Sequence, residues 1–161
     1  MIAFVQRIAD LRGAAQIRHG LAVVLLMVIP THAIAWAAHL IAPKALAAPD
    51  YTWRWDTIAA AVLLMPVAET YAMRLVFFVL RKATQRQWVL YAFSALLWGL
   101  VHAGHESRGL HAAWGFLVMS ICYLSLEKIS VRQAMIGVTI IHATGNALTY
   151  LVYLPREVFG I

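Results

Sequence analysis

Four polar side chains stand within long apolar stretches of this chain, and all four are of types that take part in hydrolysis. They are Glu69, His102, His142 and Asn146. A carboxylate can act as a general base toward water, and an imidazole beside it can hold and polarise the same water. A second histidine and an amide can donate hydrogen bonds to the oxyanion that forms on a scissile carbonyl. The set therefore predicts a site for peptide-bond hydrolysis.

The spacing of these residues places pairs of them on shared helix faces. His142 and Asn146 are four residues apart, as are Trp98 and His102, and side chains at i and i+4 are neighbours on a helix. Neither a serine nor a cysteine adjoins these histidines, and no Gly-x-Ser-x-Gly sequence is present. An activated water is therefore favoured over a covalent intermediate. The single cysteine, Cys122, is predicted to be a packing residue.

A metal-dependent version of the same chemistry stays open at this stage. Glu69, His102 and His142 would satisfy a zinc site with three protein ligands and one open position. However, the His-Glu-x-x-His signature of helical zinc proteases is missing. We therefore favour no cofactor and keep zinc at these three residues as the alternative.

The elements that must position these residues are membrane helices. The chain is 63% apolar and only 12% charged, which is too little charge to cover a soluble domain of this size. Helices of about 20 apolar residues cross a bilayer, and ionisable groups inside them are costly and usually mark a site. We predict an all-α, polytopic bundle forming one domain over 1–161, with about five spans, at 20–42, 57–80, 88–105, 109–127 and 133–154.

The connections between the spans are predicted from polar residues and prolines. Segment 1–19 is expected in the cytoplasm or as a helix at the membrane surface, and 42–55 is expected to be an external loop. The polar run from His105 to Arg108 is expected to be a tight turn between the third and fourth spans. Pro66, three residues before Glu69, is expected to free a backbone carbonyl and kink its helix.

The formal net charge of +6 does not indicate nucleic-acid binding, because the basic residues cluster between apolar spans. Lysine and arginine collect on the cytoplasmic side of membrane proteins. The N-terminus is accordingly predicted to be cytoplasmic, in a multi-pass protein of the cell membrane. The expected partners are the lipid bilayer and a peptide or protein substrate within it, and no nucleic acid.

Three short motifs in order carry a resemblance to a known family. They are Glu69–Arg74, which reads Glu-Thr-Tyr-Ala-Met-Arg, then Trp98–His102 and His142–Asn146. Together they resemble the CPBP family, the CAAX-processing and bacteriocin-processing (Abi) intramembrane proteases, whose motifs are Glu-Glu-x-x-x-Arg, Phe-x-x-x-His and His-x-x-x-Asn. The resemblance covers roughly residues 60–154, which would be the catalytic core.

The resemblance implies a role for each matching residue. Glu69 and His102 would activate the water, while His142 and Asn146 would stabilise the oxyanion. Arg74 would give electrostatic support, with Thr70 and Trp98 as further supporting positions. The activity implied is cleavage of a membrane-associated, lipidated or C-terminally tail-anchored peptide.

One departure keeps other functions open. The family's second glutamate is Thr70 here, so the pair that it could form with Arg74 is missing. A non-catalytic membrane protein of the same fold, which binds a peptide as an immunity or chaperone-like protein would, is the main alternative. A small ion or proton transporter is a third hypothesis, although no inverted repeat is visible.

Overall fold

The apolar runs of the chain form helices, because a helix satisfies its backbone hydrogen bonds within its own segment. The computed structural model describes residues 1–41, 55–103 and 106–159, and every regular element in these ranges is helical. The predicted all-α fold class is confirmed for them. The elements are α1 (Ile2–Gln6), a 3₁₀ turn (Arg7–Ala9), α2 (Gly13–Ile41), α3 (Trp55–Ala59), a π-helical segment (Ala60–Leu64), α4 (Met65–Leu80), α5 (Gln87–Val101), α6 (Glu106–Glu127) and α7 (Val131–Phe159).

Four helical stretches in the described ranges are long and apolar enough to cross a membrane. α5 is also apolar but has 15 residues, which extend over about 22 Å at 1.5 Å per residue. A bilayer core is about 30 Å thick, so α5 is short for a span. The four stretches are Gly13–Ile34, Asp56–Leu80, Gly109–Glu127 and Val131–Leu151.

Two of the predicted connections differ in the structure. The predicted third span, 88–105, is too long, because α5 ends at Val101 and a turn follows it. α2 begins at Gly13, so the second part of the predicted N-terminal segment 1–19 is helical and continuous with the first span. Glu106–Arg108 belong to the first turn of α6 and not to a connecting turn. His105 and the predicted external loop up to residue 54 lie outside the described residues.

α6 is the central helix of the bundle. Within its span 61% of the residues are buried inside the protein, against 28% in each of the other three. A helix that is covered on most sides has to be apolar around most of its circumference. Its buried apolar side chains are Phe116, Val118, Met119, Ile121, Cys122, Tyr123, Leu124 and Leu126, and the burial of Cys122 agrees with its predicted packing role.

α5 and α6 approach each other closely through small residues. A Cβ atom added to Gly109 would lie 2.9 Å from the carbonyl oxygen of Gly99, and one added to Gly99 would lie 3.0 Å from the Cβ of Ala113. Glycine and alanine at such a crossing allow two helix backbones to pack directly. The crossing holds the last turn of α5, which leads into His102, against α6.

The N-terminal segment packs on the bundle. Val5 and Ile8 are buried, with 0% and 4% of their surface exposed. The side-chain amide of Gln6 donates a hydrogen bond to the Tyr91 hydroxyl of α5 at 3.2 Å. α1 and the 3₁₀ turn therefore cover one end of the helices that carry the site.

Candidate functional site

Glu69 lies on α4 and points into the bundle, with 9% of its surface exposed. It follows Pro66, where the sequence predicts a kink. The structure has the π-helical segment Ala60–Leu64 directly before α4, which carries this proline as its second residue. Segments of this kind are rare and often occur at functional sites.

His102 caps the C-terminal end of α5, whereas the sequence had predicted it inside a span. Its backbone N–H donates to the carbonyl oxygen of Trp98 at 3.1 Å, and its Nδ1 lies 2.8 Å from the same oxygen. Because a carbonyl only accepts hydrogen bonds, Nδ1 carries the proton. The other nitrogen, Nε2, then faces Glu69, whose Oε1 is 3.7 Å away.

His142 and Asn146 lie on one face of α7, as their spacing predicts. The Nε2 atom of His142 is 3.4 Å from Oε2 of Glu69, and 7% of the residue is exposed. The side-chain amide of Asn146 donates to the carbonyl oxygen of Ala61 at 2.7 Å. One carboxylate is thus placed between two imidazoles that come from different helices.

An aromatic stack separates and orients the two histidines. The rings of Trp98 and Phe116 are stacked at 4.3 Å with an interplanar angle of 12°. Phe116 also meets the His142 ring edge-on at 5.7 Å, and the His102 ring lies 6.0 Å from that of Trp98. Such ring pairs contribute packing beyond the buried area alone. Trp98, predicted as a supporting residue, therefore helps to fix the position of both imidazoles.

The four predicted site residues line one cavity of about 460 Å³. Two further histidines, His32 of α2 and His111 of α6, line the same cavity. Its remaining walls come mainly from α2, α6 and the helical stretch before Glu69. They include threonine hydroxyls and apolar side chains, in particular Thr31, Thr57, Thr149, Met27, Val28, Met65 and Met119.

The other two predicted supporting residues lie away from the carboxylate cluster. Thr70 is buried, with 1% of its surface exposed, and its hydroxyl donates to the carbonyl oxygen of Pro66 at 2.6 Å. Arg74 is exposed on α4 and forms no ion pair with any residue whose side chain the structure describes. Thr70 and Arg74 therefore do not reproduce the carboxylate–guanidinium pair that the family pattern implies.

The described side chains give no arrangement of three histidine, cysteine, aspartate or glutamate residues with the geometry of a metal site. No serine or cysteine in the described ranges lines the cavity. The groups available for chemistry at its centre are the Glu69 carboxylate, the imidazoles and the Asn146 amide.

Sequence reasoning missed His32, His111, Phe116 and Ala61. The two histidines carried a usable signal, because each is an ionisable group in an apolar stretch. Phe116 and Ala61 carried none, since their roles depend on which helices become neighbours.

Met27 of α2 inserts into a notch formed by two glycines, Gly115 of α6 and Gly145 of α7. A Cβ added to Gly145 would overlap the terminal methyl of Met27, and one added to Gly115 would lie 3.8 Å from its Cγ. Gly145→Ala should lower stability by about 1 kcal/mol, because the flexible methionine can swing aside at moderate cost. Thermal unfolding in detergent measures this effect.

The matched test of this contact is the same substitution in a Met27→Ala background. There the overlap is absent, so Gly145→Ala should cost nothing, because substitutions at residues in contact are not additive. Equal losses in both backgrounds would contradict the assignment.

No family model, curated protein or solved structure matches this chain.

Proposed function

We propose that this protein is an intramembrane endopeptidase that hydrolyses a peptide bond with a water activated by Glu69 and His102. The observation that carries the proposal is the Glu69 carboxylate, whose two oxygens lie 3.7 Å and 3.4 Å from Nε2 of His102 and Nε2 of His142. The order of the three CPBP-like motifs supports it independently, because each motif supplies a residue to the same cavity.

The hydrogen bond from Nδ1 of His102 to the Trp98 carbonyl indicates which ring atom would hold the water. In the proposed mechanism the His102 ring is neutral, so that its Nε2 and Oε1 of Glu69 both accept hydrogen bonds from one water between them. A water about 2.8 Å from both atoms supplies one O–H to each. Its lone pairs are then free to attack a carbonyl carbon.

In the proposed reaction the water oxygen bonds to the scissile carbon as Glu69 takes a proton from it. The oxyanion accepts hydrogen bonds from His142 and from the second N–H of the Asn146 amide, since the first is bonded to Ala61. The carbon–nitrogen bond then breaks, and Glu69 returns the proton to the leaving amine.

The size and lining of the cavity support a peptide as the proposed substrate. The cavity volume of 460 Å³ suits a few residues of peptide, and the apolar side chains among its walls, such as Met27, Met65 and Met119, favour a segment that is already in the bilayer. We propose a membrane-associated, lipidated or C-terminally tail-anchored peptide.

The proposed topology has five helices in the membrane, the four long spans and the short α5. The N-terminus is cytoplasmic in a protein of the cell membrane, because Arg7 and Arg12 precede the first span and Arg18 lies within its first two turns. The N-terminal helix would then lie at the inner surface of the membrane, where Ile2 and Phe4 are exposed on it.

A second candidate function is a non-catalytic peptide-binding protein of the same fold. The buried Thr70 and the exposed Arg74 favour it, because the charge pair of the family pattern is absent beside Glu69. Such a protein would hold a peptide in the same cavity without cleaving it.

The test is incubation of the purified protein with membrane-anchored peptides, including a prenylated one, followed by mass spectrometry for new termini. Turnover above one product per protein supports the peptidase, whereas stable capture of uncut peptide supports the binding protein. A parallel sample with a chelator distinguishes a zinc-dependent from a metal-free mechanism. An enzyme that held zinc at Glu69, His102 and His142 would lose activity on chelation, whereas a metal-free enzyme would keep it.

A further inference from the structure

The π-helical segment directly before α4 contains a backbone carbonyl, that of Ala61, which has no donor from the helix itself. In the π-helical segment Ala60–Leu64 the N–H of Met65 donates to the carbonyl of Ala60, five residues earlier. The next bond in this register would run from residue 66 to Ala61. Residue 66 is proline and has no N–H, so the Ala61 carbonyl lacks its helical donor.

Asn146 supplies the donor from a different helix. Its side-chain amide lies 2.7 Å from the Ala61 oxygen. Both residues line the cavity, and Asn146 is one turn from His142 on α7. In surroundings of low dielectric an unpaired carbonyl is costly. The bond therefore stabilises the π-helical register as well as the contact between the two helices.

The π-helical register determines which side chains face the cavity. Thr57, Ala61, Met65 and Glu69 are spaced by four residues and all line it. In an α-helix each such step rotates a side chain by about 40°, so three steps would turn Thr57 about 120° away from Glu69. The wider π-helical turn offsets much of this rotation. It aligns the outer part of the cavity with the carboxylate.

We propose that Asn146 is a positioning residue, which caps the carbonyl freed by Pro66 and thereby sets the direction of Glu69 toward His142. This inference rests on the proposed function only for its activity readout. It assigns the Asn146–Ala61 bond a role separate from any bond that the amide makes to an oxyanion.

The test is Asn146→Ala in two backgrounds, wild type and Pro66→Ala. The Pro66→Ala substitution restores an N–H that can reach the Ala61 carbonyl. With Pro66 present, Asn146→Ala should slow cleavage by about 10- to 100-fold, as expected for a misplaced catalytic group, and should lower the melting temperature by several degrees. In the Pro66→Ala background the loss of melting temperature should largely disappear, and the loss of cleavage should shrink to the part that the oxyanion contact of the amide contributes. The control, His142→Ala, should slow cleavage equally in both backgrounds, because no Pro66-dependent bond involves it.

Equal losses from Asn146→Ala in both backgrounds, in cleavage and in melting temperature, would overturn the proposal and leave the amide acting on substrate alone. If the wild type cleaves no peptide, the endopeptidase assignment fails, and the melting temperatures still decide this inference. Where Pro66→Ala does not fold, Asn146→Asp decides it instead. At alkaline pH the ionised carboxylate of this variant cannot donate to the carbonyl, so the variant should unfold at a lower temperature than Asn146→Ala, whereas equal melting temperatures would contradict the bond's importance.

Discussion

Glu69→Gln should reduce peptide cleavage by about 10²- to 10⁴-fold, the usual contribution of a general base. The glutamine amide keeps the shape of the carboxylate, but it cannot accept a proton from the water held between this residue and His102. Because the side chain is buried between His102 and His142, an isosteric change should leave the melting temperature close to that of the wild type. The measurement is the cleavage rate by mass spectrometry, with thermal unfolding of the same preparation.

The matched control for Glu69→Gln is Glu127→Gln. Glu127 pairs with Arg81 at the C-terminal end of α6, well away from the cavity. Its loss costs at most about 1 kcal/mol, as expected for a partly exposed pair, and should not slow cleavage. If Glu69→Gln retained more than a tenth of the wild-type rate, this carboxylate would not be the general base of the reaction.

Gly109→Ala should be the most damaging single-methyl change in the bundle. The added Cβ would lie 2.9 Å from the carbonyl oxygen of Gly99. A backbone atom cannot swing aside as a side chain can, so α5 and α6 must separate. We expect a loss of about 1–3 kcal/mol, together with slower cleavage, since His102 directly follows α5.

Gly20→Ala in α2 is the control for helix propensity. The nearest atom to its added Cβ is 4.0 Å away, on Ile8, so it meets no backbone. Alanine in a helix interior should stabilise by about 0.5–1 kcal/mol. The two substitutions are thus expected to shift the melting temperature in opposite directions. Unchanged or increased stability in Gly109→Ala would contradict the close packing of α5 on α6.

The sequence predicts the helical class and the face shared by His142 and Asn146, because both follow from hydropathy and from the 3.6-residue repeat. The proximity of Glu69 to both histidines does not follow from hydropathy or helical periodicity. The chemistry of the residues suggests it, but the contacts that create it, such as those of Phe116 between the rings, involve ordinary apolar residues. Periodicity within one helix cannot tell which neighbour that helix will meet.

The sequence periodicity does not predict where the helices end or that a π-helical segment forms, for a related reason. Hydropathy continues through Val101 and Ala103, although α5 stops at Val101. Gly104 was a usable signal, because glycine commonly follows a helix end. Pro66 predicted an unsatisfied carbonyl, but its capping by Asn146 depends on α7 packing against the helix that carries Ala61, which only the fold determines.

The short length of α5 bears on how water, the second reactant of the proposed hydrolysis, reaches the site. In the proposed topology, α5 would cover about 22 Å of a hydrocarbon layer about 30 Å thick, and its last carbonyls would lie below the polar boundary. Either the bilayer would be locally thinner around α5, or a water-filled cavity would extend to the end of the helix. In both cases the bulk aqueous phase would come close to the protein interior at His102, the residue proposed to hold the attacking water. In the proposed endopeptidase, the short α5 would therefore provide the route by which water reaches the site for each turnover.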